Sequence, residues 1–234
     1  IAPEKVAWAI NAYSPDIVTS KLKGKIFKFG HFKIVKKQIQ KFDVLLIGNG
    51  IGLNPETKKF CKKTIKEIKK LKVIDADAVK SISMFDAENS IITPHAKELE
   101  NFLANSKINK KIIGKINKEK NIQKKSELIK KAIQKFLNGN NVILLKGQID
   151  SIISKNKILL VKGGNAGMTK GGTGDVLAGL CAGFLAQSKD LLQSAVNASY
   201  FNKKIGDILL KRKKGFTYLA SDMVEEIKRI KTYS

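Results

Sequence analysis

The sequence predicts an α/β fold, a mostly parallel sheet with helices packed on both faces. Short apolar runs that end at glycine or aspartate alternate with segments of helical periodicity along the whole chain. The clearest of those runs, within residues 42–47 and 141–146, are mostly apolar, which suits strands buried in a parallel sheet. No Pro- or Ser-rich linker interrupts the alternation, so residues 1–234 read as a single domain.

Residues 3–13 read as a helix, with Pro3 and Glu4 in its first turn. Residues 42–47 form a first apolar strand ending at Gly48. Asn54 is the expected cap and Pro55 the first position of a helix reaching about Leu71, with Cys61, Thr64, Ile65, Ile68 and Leu71 on its apolar stripe. Val73–Asp75 is a second strand and Ile91–Thr93 a third, after which Pro94 starts a helix through Phe102. Residues 105–120 are polar and Lys-rich, expected as a surface excursion. A long amphipathic helix follows, with Leu128, Ile129, Ala132, Ile133, Phe136 and Leu137 on one face.

Residues 141–146 are a fourth strand, and 149–154 with 157–161 read as an antiparallel hairpin turning at Lys155-Asn156. A glycine-rich stretch, 163–174, opens an Ala/Leu/Gly-rich helix over 175–187, and two or three more helices complete the chain. Sheets of this kind bind ligands beyond the carboxyl ends of their strands.

Composition sets further bounds. Lys and Arg number 45 against 20 Asp and Glu, a net charge of +25. That balance attracts polyanions. Yet only Arg212 and Arg229 are arginine, and no aromatic-basic patch exists, so the planar groups that grip bases are scarce and nucleic acid is not the expected partner. A basic surface also suits a pocket for anionic nucleotides. No run of eighteen apolar residues predicts a membrane span. Cys61 and Cys181 read as buried thiols of a reducing compartment, hence a cytoplasmic location. His31 and His95 lie far apart without nearby cysteine, so no metal-ligand spacing is present. The start at Ile1 rather than Met suggests a chain that begins partway through a longer protein.

The densest chemical signal is Gly163-Gly164-Asn165-Ala166-Gly167-Met168-Thr169-Lys170-Gly171-Gly172-Thr173-Gly174-Asp175. Glycines let successive backbone N–H groups turn inward as an anion nest, and the helix N-terminus adds its positive end. Phosphate fits such a site. A carboxylate at Asp175 would repel phosphate, but it makes sense as the base that takes a proton from a hydroxyl attacking that phosphate. As a bland alternative, Asp175 is a favourable first-turn acid and the glycines serve close packing. The segment is not a Walker A loop, because no Gly-Lys-Ser/Thr follows at the required spacing.

Residues 164–179 closely resemble the signature of the ADP-dependent NAD(P)H-hydrate dehydratases, and four other segments match in order: Ile47-Gly48-Asn49-Gly50-Ile51-Gly52, Val73-Ile74-Asp75-Ala76-Asp77-Ala78, Thr93-Pro94-His95 with Glu98, and Lys146-Gly147. The resemblance spans nearly the whole chain and implies a ribokinase-like three-layer α/β/α fold whose first βα unit is missing here. It implies a hydro-lyase that restores NADH and NADPH from the S-epimer of their hydrates (NADHX and NADPHX), using ADP with Mg2+ and releasing AMP and phosphate. A thiazole or hydroxymethylpyrimidine kinase of the same superfamily is the alternative.

In that reading Asp175 is catalytic, and Gly172, Thr173 and Gly174 form the anion hole. Lys146, Gly147, Gln148, Ile149, Asp150 and Gly174 bind the nucleotide, while Gly52, His95 and Asp175 meet the substrate. Glu98 would touch magnesium-bound water. Asp75 and Asp77 are candidates for a base or a water-mediated magnesium contact, with a supporting structural role favoured. No direct protein ligand to a metal is expected. Two departures stand out: Asn49 replaces the usual proline, which should loosen its turn, and Asp150 replaces a threonine whose hydroxyl would reach the nucleotide. The resemblance further implies a homo-oligomer, a tetramer in related enzymes, and fusion to or partnership with an NAD(P)H-hydrate epimerase.

Overall fold

The chain opens with two short strands, β1 (Ala2–Pro3) and β2 (Lys21–Leu22), paired in parallel around helix α1 (Glu4–Tyr13). Pro3 is extended at φ −54° and ψ 144°, so it closes the strand and the helix begins one residue later than expected. The structure, a computed structural model, describes residues 1–213 and 215–230.

Six strands form the main sheet in the order of the chain: β3 (Val44–Ile47), β4 (Leu71–Ile74), β5 (Ser90–Ile92), β6 (Val142–Leu145), β7 (Asp150–Ile153) and β8 (Ile158–Val161). The first four are mutually parallel, and β7 runs antiparallel to both neighbours, which gives the expected hairpin. Successive side chains leave a strand on opposite faces. Ile74, Ile92, Ile143 and Ile153 therefore enter one core, and Val73, Ile91, Val142, Leu144 and Ile152 the other.

The first face is covered by α2 (Phe32–Gln38), α3 (Pro55–Glu67), α5 (Ala96–Asn105), α6 (Lys110–Lys118), α7 (Ile122–Ala132) and α8 (Gln134–Asn138). The second is covered by α9 (Thr173–Ser188) and α10 (Leu191–Arg212), with α11 (Ala220–Ile227) packed on them. The short α4 (Ala76–Val79) follows β4. Burial on both faces is why the strands read as unbroken apolar runs.

Besides α1, and α9, which starts at Thr173 rather than Asp175, four helical segments differ from the sequence expectation. Helix α3 stops at Glu67 because Ile68 turns to an extended backbone, and Leu71 begins β4. The segment expected as a surface excursion contains α6, capped by Asn109 and burying Ile113 and Ile116 at an i, i+3 spacing that the surrounding lysines obscure. The long amphipathic helix is broken at Ile133 (φ −113°, ψ 22°), which separates α7 from α8 without a Pro or Gly to announce it. Helix α5 starts at Ala96, not Pro94, because His95 takes the capping position.

Cys61 and Cys181 are both buried, and burial pushes the Cys61 thiol up to about 12. A less expected buried group is Lys72 in β4, only 2% exposed. Its Nζ donates to the Ile68 and Lys70 carbonyls at 3.0 and 2.8 Å, and burial lowers its pKa to about 8. The folded state therefore holds this proton less tightly than the unfolded chain. Stability lost to burying the charge is present below pH 8 and is recovered as pH rises toward the unfolded value of about 10.4. The Tm advantage of Lys72→Met over the parent should therefore shrink between pH 8 and 10 in thermal denaturation. A pH-independent difference would contradict the assignment.

Candidate active site

The carboxyl ends of β3, β4, β5 and β6 converge on one buried carboxylate, Asp75, which is 1% exposed. Its Oδ1 accepts from Thr93 Oγ1 at 2.7 Å and Lys146 Nζ at 2.8 Å, while its Oδ2 accepts from Asn49 Nδ2 at 2.9 Å. Lys146 lies also 3.6 Å from Glu98. A buried charge needs such partners, since removing one partner of a buried pair costs about 3–5 kcal/mol. Both oxygens of Asp75 are thus engaged by neighbouring side chains.

The turn after β3 fits against this carboxylate because Gly48 has no side chain. A Cβ there would lie 1.8 Å from the Asp75 carbonyl oxygen, and φ is +130°. Farther along the turn, the Gly52 N–H donates to Asp77 Oδ2 at 3.0 Å, and Asp77 pairs with Lys80 at 2.9 Å. Asp77 thus anchors the turn. Asn49 does the reverse of loosening it: its Nδ2 reaches Asp75 and also Asp175 Oδ1 at 2.6 Å.

His95 caps α5. Its Nδ1 accepts from the Lys97 and Glu98 N–H groups at 3.2 and 3.4 Å, and Glu98 Oε2 accepts the His95 N–H at 3.0 Å. The ring is half exposed and borders a cavity of about 630 Å³, a volume suited to a small-molecule ligand. Lys146, Gly147, Gln148, Asp150 and Gly174 line this cavity as well, whereas Ile149, Gly52 and Asp175 are not in its wall. Asp150 is buried beneath it, accepting from the Gly147 N–H at 2.9 Å and Ser199 Oγ at 2.8 Å. It therefore braces the loop from below where a threonine would offer a hydroxyl.

Two loops form the cavity walls, and Lys203 of α10 ties them together. This lysine is 4% exposed. Its Nζ donates to the carbonyls of Gly147, Gln148 and Gly163 at 3.1, 3.1 and 3.3 Å, and lies 3.4 Å from Asp150. The glycine-rich loop is fixed in turn by Asp207, which accepts the Gly164 N–H at 3.0 Å. Asn165 Oδ1 accepts from the Gly167 N–H at 3.0 Å and from the Tyr218 hydroxyl at 2.6 Å. Burial raises the Tyr218 pKa, so the hydroxyl stays a donor. Asn49, Asn202, Lys203, Asp207 and Tyr218 were not identified as site-forming from the sequence. The three residues on α10 carried only an ordinary helical pattern.

Gly172 sits at the N-terminus of α9 with φ +87°, and a Cβ there would approach Ala220 Cβ to 2.9 Å. The Thr173 hydroxyl lies 2.6 Å from the Met168 carbonyl, and its N–H reaches the Lys170 carbonyl at 3.4 Å, so Thr173 holds the turn. Val176 N–H to Gly172 O, at 3.1 Å, is the first bond of the helix ladder, and the amides of Gly174 and Asp175 precede it at the positive end. Lys146 Nζ lies 3.5 Å from the Cβ position of Gly174. Asp175 is exposed one residue farther on and borders a separate apolar groove of about 520 Å³ between α9 and α11. The arrangement places the positive end of a helix between a cavity lined by Lys146, Lys170 and Lys203 and an exposed carboxylate.

The fold is of the ribokinase-like class: the chain superposes on a ribokinase-like superfamily protein of Enterococcus faecalis at a TM-score of 0.75 and 24% identity over 97% of this chain and 73% of that one. Within that class the chain belongs to the NAD(P)H-hydrate dehydratase family, whose model matches residues 1–229. It is 33% identical over 219 residues, 92% of this chain and 39% of the relative, to the bifunctional NAD(P)H-hydrate repair enzyme of Methanocaldococcus jannaschii. It is 30% identical over 158 residues, 64% of this chain and 48% of the relative, to the ADP-dependent (S)-NAD(P)H-hydrate dehydratase of Enterococcus faecalis. The chain thus spans less than half the length of either. Among solved structures it resembles the ADP/ATP-dependent NAD(P)H-hydrate dehydratase of Bacillus subtilis, crystallised with ATP and Mg2+, at a TM-score of 0.74 and 21% identity over 97% of this chain and 77% of that one. No helix among the described residues is long and apolar enough to cross a membrane.

Lys203→Met keeps the apolar stem and removes the link between the two cavity loops. Affinity for the adenine nucleotide proposed below, titrated calorimetrically as ADP, should fall roughly tenfold, about one charge-assisted hydrogen bond. Unchanged affinity would show that the loops do not depend on this link.

Proposed function

We propose that the chain dehydrates the S-epimer of hydrated NADH and NADPH back to NAD(P)H, with ADP as phosphoryl donor. The observation that carries this reading is the position of Asp175, exposed and one residue beyond the Gly174 amide that adjoins the cavity. A nucleotide in the cavity would point its terminal phosphate at that amide and at Lys146, while a hydroxyl reaches Asp175 from the open side. The family membership and the name of the E. faecalis relative support the choice of substrate and of ADP.

The cavity fits an adenine nucleotide in volume and charge. Mg2+ fits as the nucleotide's own counter-ion: Asp75 and Glu98 are already tied to Lys146, and no cluster of three potential metal-ligating side chains occurs among the described residues. Bound through phosphate oxygens and water, it would neutralise charge on the transferred group.

Asp175 takes the proton of the ring hydroxyl as that oxygen bonds to the terminal phosphorus of ADP, and the phosphorus–oxygen bond to AMP breaks. The Gly174 amide, Lys146 and the end of α9 stabilise the charge on the phosphoryl oxygens. Gly172 and Thr173, in the same turn, complete the proposed anion hole. Hydroxide is a poor leaving group and phosphate a good one. The ring nitrogen's lone pair expels phosphate, the neighbouring carbon loses a proton to solvent, and the reduced ring is restored. Gly52 and His95 border the approach to this edge of the sheet and are proposed to contact substrate. The bifunctional name of the M. jannaschii relative supports partnership with an epimerase, and we retain a homo-oligomer as the proposed assembly.

Incubation of hydrated NADH with ADP and Mg2+ should restore the absorbance of the reduced ring and release AMP and phosphate. A stable phosphorylated alcohol without that recovery would instead favour a small-molecule kinase. Asp175→Asn should lower kcat by roughly 10²-fold or more, as loss of a general base does, with ADP affinity retained. Turnover equal to the parent would remove Asp175 from the mechanism.

A further inference from the structure

We infer that Asn49 is a positioning residue that sets the orientation of the Asp175 carboxylate through a two-armed hydrogen bond from its side-chain amide. This rests on the proposed role of Asp175 as base. One Nδ2 group lies 2.9 Å from Asp75 Oδ2 and 2.6 Å from Asp175 Oδ1, so its two protons serve the two carboxylates. The opposite placement of the amide would set its oxygen against both carboxylates, acceptor against acceptors, which fixes the assignment. Asn49 Oδ1 is buried without a hydrogen-bond partner, the cost of aiming the nitrogen this way.

The two carboxylates differ in what else holds them. Asp75 is buried and bound by Thr93 and Lys146 as well, so it is a fixed anchor. Asp175 is exposed on the first turn of α9, and Asn49 is the side chain whose bond it accepts. An unrestrained aspartate on a helix end samples several rotamers. Tethering Oδ1 to a rigid anchor leaves Oδ2 as the oxygen free to take a proton, in a constant direction. The chain Lys146–Asp75–Asn49–Asp175 thereby fixes the base relative to the lysine beside the cavity, across residues from four separate elements.

Asn49→Asp keeps the shape but replaces both donors by a third carboxylate, while Asn49→Ala removes the donors without adding charge. With hydrated NADH and ADP, both variants should lose roughly 10²-fold in kcat, the cost of a misdirected reacting group, with KM changed by less than about threefold. Full activity in Asn49→Asp would overturn the inference, because packing alone would then suffice. So would a loss confined to KM. A second readout does not need turnover. In 15N-labelled protein, the Asn49 side-chain amide pair, identified by its absence in Asn49→Ala, should shift on Asp175→Ala. An unmoved pair would overturn the hydrogen bond itself. Absence of dehydratase activity in the parent would instead count against the proposed reaction and leave this spectroscopic test standing.

Discussion

Everything at the carboxyl edge of the sheet depends on satisfying one buried negative charge. Asp75 ends β4 in an interior where an unpaired carboxylate would be expensive, and its three donors come from the ends of the other three parallel strands: Asn49 after β3, Thr93 after β5 and Lys146 after β6. The backbone takes part as well, since the Asp75 N–H donates to the Ile47 carbonyl and its own carbonyl occupies the space that a side chain at Gly48 would need. Meeting the demand of this carboxylate therefore sets the spacing of four loops that border the candidate site, to which the glycine-rich loop before α9 is added.

This arrangement divides the labour between structural and chemical groups. Asp75, Asp77, Asp150 and Asp207 all accept backbone or side-chain bonds that hold loops in place. Asp175 alone among these five stands exposed at the end of α9. A helix end that welcomes phosphate on one side and carries a carboxylate on the other suits transfer of a phosphoryl group to a hydroxyl. In the proposed reaction the transfer serves only to turn a poor leaving group into a good one, so a kinase-like site performs a dehydration without added catalytic groups.

The layered fold was legible because strands buried on both faces leave an unmistakable run of apolar residues, as in residues 142–145. Helix ends were less legible. The break at Ile133 has no local cause in the sequence, and the stop of α3 at Glu67 follows from the sheet's need for Leu71 and Lys72. In the site, Asp175, Lys146 and His95 were marked by motifs that sit at strand or helix ends. Lys203 was hidden, because a lysine in a chain so rich in lysine signals nothing until the fold buries it among three carbonyls. Asn49 was noticed only as a departure from a pattern. Its bond to Asp175 joins residues 126 positions apart, beyond any local reading.

The central claim is that nucleotide and base meet across the Gly174 amide. A crystal structure of the chain with ADP and Mg2+ tests it most directly. The account predicts the nucleotide in the cavity bordered by Gly147, Asn202 and Lys203, with its terminal phosphate hydrogen-bonded to the Gly174 amide and Lys146, and Asp175 facing that phosphorus from the open side. A terminal phosphate seated elsewhere, beyond reach of both Gly174 and Lys146, would contradict it.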